Sequence, residues 1–361
     1  MSILDTIIGS QTQSNLASFQ PSLIVNNVLS TLKERDRDII TRRFALGDVG
    51  SETLESIGKL HNLTRERVRQ IEKDCLKSLK TNSSQELQNA LQVIFDIIVE
   101  HGSICSEDFL LNNILSIKPN EKDIQSIKFL LNTGDQFNYL KESDDKVACW
   151  YVVGFNMERL TATIESLQAV LNNHHEVMKE DFLIAKFCET DFYKSRTEFF
   201  TDKIIQSYLN ISKNIQINPF GEIGLKDWVE VKPHDVGDKA YLVLKHHGKP
   251  EHYSEITKLI NEHKFDNRVA YQETVHNELI KDSRFVLIGR GIYALTEWGY
   301  KKGVVADVIK EILTVAGRPM HRDEIIAEVL KRRQVKRNTI LVGLSNKKNF
   351  QKVDRDKYII V

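Results

Sequence analysis

Proline is scarce in this 361-residue chain, at six residues, and glycine reaches only 17. That shortage excludes collagenous and low-complexity architectures and favours helices joined by short connections. No stretch approaches the roughly 20 uninterrupted apolar residues of a membrane span. The best run, Leu91 to Val99, is broken by Gln92 and Asp96. Four cysteines, Cys75, Cys105, Cys149 and Cys188, never stand in CxxC spacing, so neither a zinc site nor a disulfide framework is indicated. Gly-rich phosphate loops, HExxH and Gly-x-Ser-x-Gly are missing, and Gly289-Arg290-Gly291 falls inside a hairpin pattern. The start, Met1-Ser2-Ile3-Leu4-Asp5, lacks the basic lead and apolar stretch of a secretion signal. These absences lead to the expectation of a cytoplasmic protein that is not an enzyme. No metal, no cofactor, no small-molecule substrate and no membrane partner is expected.

What is present is ordinary globular composition, 41% hydrophobic and 28% charged, over a length of two or more domains. Fifty basic residues balance fifty acidic ones, yet they are not evenly spread. Lys33 to Lys80 holds 12 basic and 9 acidic residues, a net of +3; Thr81 to Glu180 holds 7 and 15, a net of −8; Lys301 to Val361 holds 15 and 7, a net of +8. Two basic ends flank an acidic middle, which directs the search for phosphate contacts to the ends. The alternative is that each run is a solvated helix face.

Residues 29–44 carry Leu32, Ile39, Ile40 and Phe44 near helical spacing, and Gly47-Asp48-Val49-Gly50-Ser51 then reads as a loop. Thr53 is placed to cap a short helix through Leu54, Ile57 and Leu60. Asn62 suits a left-handed turn, and Thr64 caps a second helix with the apolar stripe Val68, Ile71, Cys75, Leu76 and Leu79. Arg65, Glu66, Arg69, Gln70 and Lys73 fall on the opposite face, crowded toward the N-terminal end. A recognition helix needs this arrangement: its first turns enter the major groove, where Arg pairs with guanine and Gln with adenine.

The stretch Leu54-Glu-Ser-Ile-Gly-Lys-Leu-His-Asn-Leu-Thr-Arg-Glu-Arg-Val-Arg-Gln-Ile-Glu-Lys73 closely resembles the C-terminal region of sigma-70 type RNA polymerase sigma factors, region 4, which reads the −35 promoter element. Lys33-Glu-Arg-Asp-Arg-Asp-Ile-Ile and Arg43-Phe44 extend the match upstream. The resemblance implies that Arg65, Glu66, Arg69 and Gln70 read bases, with Thr64 and Arg67 on phosphates. The alternative for Arg67 and Glu72 is a purely intrahelical pair. The match covers roughly residues 29–80, with Asn62 where a turn glycine is usual and Asp74-Cys75 where a small or basic pair is usual. A self-sufficient sigma factor is therefore not expected.

The remaining residues repeat. Gly248-Lys-Pro-Glu-His-Tyr-Ser-Glu-Ile256 and Gly317-Arg-Pro-Met-His-Arg-Asp-Glu-Ile325 share one pattern, and each is followed by a helix and a hairpin, around Gly289-Arg290-Gly291 and Asp354-Arg355-Asp356. Weaker copies align on Glu107-Asp108-Phe109 and Glu180-Asp181-Phe182, with hairpins over 138–153 and 215–225. The origins Gly102, His175, Gly248 and Gly317 lie 73, 73 and 69 positions apart. Three helices and a two-stranded wing make a winged helix. The expected fold is mainly α with small β-hairpin wings, a helix-turn-helix followed by tandem winged-helix domains. Its expected parts are an N-terminal extension (1–28), the sigma-like helix-turn-helix (29–82) and winged helices at 85–155, 158–232, 237–298 and 301–361. The third resembles the HARE-type helix-turn-helix, whose family includes the N-terminal domain of the RNA polymerase delta subunit. His252 and His321 recur at one repeat position and read as capping or buried histidines rather than ligands.

Together these readings give the expectation of a DNA-binding transcription regulator in the bacterial cytoplasm or nucleoid, associated with core RNA polymerase. Its expected DNA-binding residues are Thr64, Arg65, Glu66, Arg67, Arg69, Gln70 and Lys73 in the sigma-like helix, Arg290 at a wing tip, and Lys331, Arg332, Arg333, Lys336 and Arg337 in the +8 tail. The runner-up is a DNA-sensing or scaffold component of a restriction or defence system. The acidic first repeat, with Asp144-Asp145 at its wing, is expected to contact protein rather than DNA.

Overall fold

A computed structural model describes residues 19–48, 50–81, 83–115, 120–300, 305–333, 335–346 and 348–361. Among them are 17 α-helices and 11 short strands. They divide into two compact units, Met1–Glu176 with Glu180–Ile215, and Val177–Lys179 with Gln216–Val361. No described helix is long and apolar enough to cross a membrane.

The first unit opens with helices α1 (Pro21–Ser30), α2 (Glu34–Arg43), α3 (Leu54–His61) and α4 (Arg65–Thr81). Two expectations change here. The segment treated as an extension contains α1, started by Pro21, which has no N–H to leave unpaired. The single helix read over 29–44 is broken at residues 31–33. The Thr31 hydroxyl turns back to the Val28 carbonyl at 2.7 Å, and Lys33 is extended (φ −59°, ψ 145°), restarting the chain as α2 with Glu34 and Asp36 in a first turn that favours acids.

The first repeat follows as α5 (Gln85–Glu100), β1 (Ile104–Ser106), α6 (Glu107–Ile114), α7 (Glu121–Thr133), β2 (Phe137–Leu140) and β3 (Cys149–Val152). Side-chain caps from Ser84, Ser106 and Asn120 begin its three helices. It shares one hydrophobic core with the helix-turn-helix. Val25, Val28 and Leu29 of α1 meet side chains of α5 and α7 such as Leu87, Ile127 and Leu130, and the Phe44 ring stands edge-on to Phe129 at 5.2 Å. Polar ties accompany the packing: the Ser22 N–H donates to Asp123 (3.2 Å), Asn27 to Glu86 (3.0 Å), and Lys122 pairs with Asp48 (2.7 Å). Cys105 and Cys149 lie in the interior, where burial pushes each thiol up to about 12, so they behave as small apolar side chains.

Helices α8 (Met157–His174), α9 (Glu180–Cys188), α10 (Asp191–Lys194) and α11 (Asp202–Ile211) complete the first unit. The last of these lies on β1, where the Ser207 hydroxyl donates to the Ile104 carbonyl (2.7 Å) and the Tyr208 hydroxyl to Gly102 (3.2 Å). The β2–β3 hairpin docks on the end of α11, with the Val147 N–H on the Ile211 carbonyl (3.0 Å) and Lys213 on the Ser143 carbonyl (2.7 Å) and Glu142. Asp145 in that hairpin is paired with Lys146, which holds its carboxyl down at about 2.

The hairpin β4 (Ile215–Ile217) and β5 (Ile223–Leu225) begins on the last residue of the first unit, and the second unit continues with α12 (Val236–His247), β6 (Glu251–His252), α13 (Tyr253–His263), α14 (Gln272–Lys281), β7 (Phe285–Leu287) and β8 (Ile292–Leu295). The chain ends with α15 (Val305–Ala316), β9 (Met320–His321), α16 (Arg322–Arg332), α17 (Arg337–Leu344), β10 (Phe350–Asp354) and β11 (Lys357–Ile360). Three sheets have the order first strand, third strand, second strand: β1-β3-β2, β6-β8-β7 and β9-β11-β10. In the second repeat Met178 bridges Ile223 of β5 by two backbone bonds (3.0 and 2.7 Å), giving β4-β5 the same neighbour. Each hairpin therefore pairs back to a segment just before the repeat's second helix. His252 and His321 are N-caps, accepting from the Ser254 and Asp323 N–H groups at 3.3 Å each.

Since Phe129 is fully buried at the seam between α2 and the first repeat, Phe129→Ala should cost about 3–5 kcal/mol. Amide-exchange protection should fall together in α4 and β3. Retained protection of α4 with loss in β3 would show two separate cores.

Candidate nucleic-acid interface

The helix-turn-helix is set by local chemistry. Thr53 accepts the Ser56 N–H at 3.1 Å and starts α3; Asn62 closes it in the left-handed region (φ 56°, ψ 41°). The turn is tight enough that the Leu63 N–H reaches the Gly58 carbonyl at 2.8 Å, and a Cβ on Gly58 would lie 2.6 Å from the Leu63 carbonyl oxygen. Thr64 then caps α4 by accepting the Arg67 N–H at 3.2 Å. Val68, Ile71, Cys75 and Leu79 of α4 turn inward with Ile39, Ile40 and Ile57.

That burial leaves Arg65, Glu66, Arg67, Arg69, Gln70 and Lys73 exposed on one face, where the sequence places them. Four of them are pre-paired. Arg69 forks onto Glu66 (2.8 and 2.6 Å), which holds the glutamate below its ordinary carboxylate range and raises the guanidinium, and Arg67 donates to Gln70 at 3.2 Å. Such exposed pairs are weak and screened by salt, so they position the side chains without locking them. Glu72 pairs with Arg43 of α2 (3.4 Å) rather than within its own helix. Lys80, near the end of the same helix, is bound to Asp135 in the turn before β2.

A supporting network runs behind the face. Arg42 bridges Asp38 (2.9 Å) and Glu52 (2.8 Å), His61 contacts the same Asp38 oxygen (2.9 Å), and Glu52 accepts from the Ser56 hydroxyl (2.8 Å). Both ends of α3 are thereby tied to α2. Partial burial alone would raise the Asp38 carboxyl, but the bonds from Arg42 and His61 bring it below the usual aspartate range. The i,i+4 spacing of Asp38 and Arg42 was the available sequence signal; the links to Glu52 and His61 depend on the fold.

Other expected contacts separate. Arg290 is exposed at the β7–β8 turn. Lys331 and Arg332 are exposed but both face Glu328 (2.7 and 3.9 Å). Lys336 is exposed, and Arg337 pairs with Asp323 (2.6 Å). Arg333 is a correction: only 5% exposed, it donates to the Leu287 carbonyl at 2.6 Å and cannot serve as a DNA contact. Burial also lowers its guanidinium from the ordinary range.

Two substitutions check this geometry. Gly58→Ala should force the turn apart and cost about 1–3 kcal/mol by thermal or urea unfolding. Asp38→Asn should cost below about 1 kcal/mol near neutral pH, because the side chain is half open to water. A depressed carboxylate contributes stability above its unfolded pKa and loses it as pH falls through the folded one. The variant's unfolding midpoint should therefore fall less steeply than the parent's below about pH 4; equal acid dependence would deny Asp38 this role.

Comparison with known proteins agrees with this geometry over one segment. Residues 28–81 match the family described as Sigma-70, region 4. RNA polymerase sigma factor SigA of Microcystis aeruginosa is 38% identical over 92 residues, 21% of this chain and 22% of that protein. SigA1 of Synechococcus elongatus is 50% identical over 56 residues (16% and 14%), and SigA of a Bacillus species is 36% identical over 106 (25% and 28%). The chain thus spans 14% to 28% of the length of these relatives. What they share with it is the sigma-70 region 4 helix-turn-helix.

Proposed function

We propose that this protein is a DNA-binding transcription regulator that works beside RNA polymerase core, reading a −35-like element through α4 without acting as a complete sigma factor. The observation that carries this reading is the exposed face Arg65, Glu66, Arg67, Arg69, Gln70 and Lys73, with Arg69 paired to Glu66 and Arg67 to Gln70, on the second helix of a region 4 match. Arginine and glutamine at the start of a helix whose back is buried suit guanine and adenine edges in the major groove. Sigma-factor relatives supply the analogy for promoter recognition and for polymerase as a partner. The region after residue 81 is read as four winged-helix units, the third of HARE type, in support of the same assembly. The strand order shared by three sheets, and the Met178–Ile223 bridge that gives the second repeat the same pairing, support that reading.

Two measurements test the proposal. Arg69→Ala should weaken binding to a selected duplex by about ten- to a hundred-fold at one or two base positions, with random duplex little changed. Equal losses on both would mean that α4 does not read bases. The full chain should also co-purify with core polymerase in stoichiometric amount; no complex at low salt would remove polymerase from the proposal.

A further inference from the structure

The third helices of the repeats are used in two ways. In the first repeat α7 packs on α1, and in the second α11 lies on β1 with Ser207 and Tyr208 bonded to backbone. Both faces are consumed by packing. In the last two repeats the third helices keep open faces: Gln272, Glu273, Thr274 and Asn277 on α14; Arg337, Asn338, Thr339 and Val342 on α17.

At matched positions the charge inverts along the chain. The start of the second helix, the start of the third and the wing turn read Glu107, Glu121 and Asp144-Asp145 in the first repeat. They read Tyr253, Gln272 and Arg290 in the third, and Arg322, Arg337 and Arg355 in the fourth. In the fourth these side chains form a row. Arg337 meets Asp323 (2.6 Å), Arg322 meets the same carboxylate (3.6 Å) and Asp356 (3.5 Å), Lys352 meets Asp356 (3.5 Å), and Lys357 meets Asp354 (3.4 Å). Lys336 and Arg355 stand beside the row, exposed and with no acidic partner among the described residues. Six cations face three carboxylates, which fixes a positive surplus from the start of α17 across to the wing.

We propose that this edge of the fourth repeat grips the phosphate backbone of duplex DNA, as a second contact that does not depend on base reading by α4. Rows of cations held in place by shared carboxylates suit a repeating anion, and neutralised phosphates dominate such affinity. The matched acidic edge of the first repeat is an unfavourable partner, because Glu107 is already bound by Lys128 and Trp150, and Asp145 by Lys146.

The test uses the full chain and a fluorescent random-sequence duplex titrated over a salt series. The double variant Lys336→Ala, Arg355→Ala touches only exposed side chains and should keep the parent's thermal midpoint. It should lower the slope of log affinity against log salt by about two units and weaken random and selected duplexes equally. Arg69→Ala in parallel should change discrimination between duplexes instead, so failure of one contact is distinguishable from failure of the other. An unchanged slope, or a loss confined to the selected duplex, would overturn the proposal. So would a double variant that only dissolves a self-associated species in gel filtration, since the edge would then serve a second copy of the chain.

Discussion

The packing of α1 and α2 against α7, centred on the Phe44–Phe129 contact, is the constraint on which the first unit depends. A three-helix module of some 50 residues buries too little surface to be comfortably stable alone. Here it gains a second apolar layer from a segment about a hundred residues further along, and the polar ties Ser22 to Asp123 and Lys122 to Asp48 fix the register of that layer. Helix α4 is therefore held from two sides. Arg43 and Arg42 of α2 grip it and its partner helix α3, while α2 is itself seated on the first repeat.

Much of this was legible in the sequence where the determinant is local. Thr53, Asn62 and Thr64 act on backbone groups two to four residues away, so their roles could be read one turn at a time. The stripe through Val68, Ile71, Cys75 and Leu79 needs only a helical period. The hairpins expected at 138–153, 215–225, 284–295 and 350–360 fall within a residue of the strands found there, because alternation and turn residues are also local signals.

What the sequence hid is decided over distance. Thr31 breaks the helix read over 29–44 by a choice its composition does not force, and α1 becomes visible only once α7 supplies the surface it covers. Arg333 sits in a basic run and reads as one more phosphate ligand, yet its guanidinium is turned to a carbonyl 46 residues earlier in the chain. Lys80 is taken by Asp135 in the same way, 55 residues on. Charge counts along a segment overstate the charge that a surface presents. The surplus on the fourth repeat survives this correction because it was counted from side chains in place, pair by pair.

The capping residues of the second helices carry a separate consequence. Ser106 caps in the first repeat, whereas His252 and His321 cap in the last two, each through a ring nitrogen that must hold a free lone pair to accept an N–H. His252 also lies under the β7–β8 turn, where a Cβ on Gly291 would come within 2.5 Å of its ring. A side chain at position 291 would press on the residue that caps α13, so the turn that carries Arg290 and the start of that helix are built as one piece.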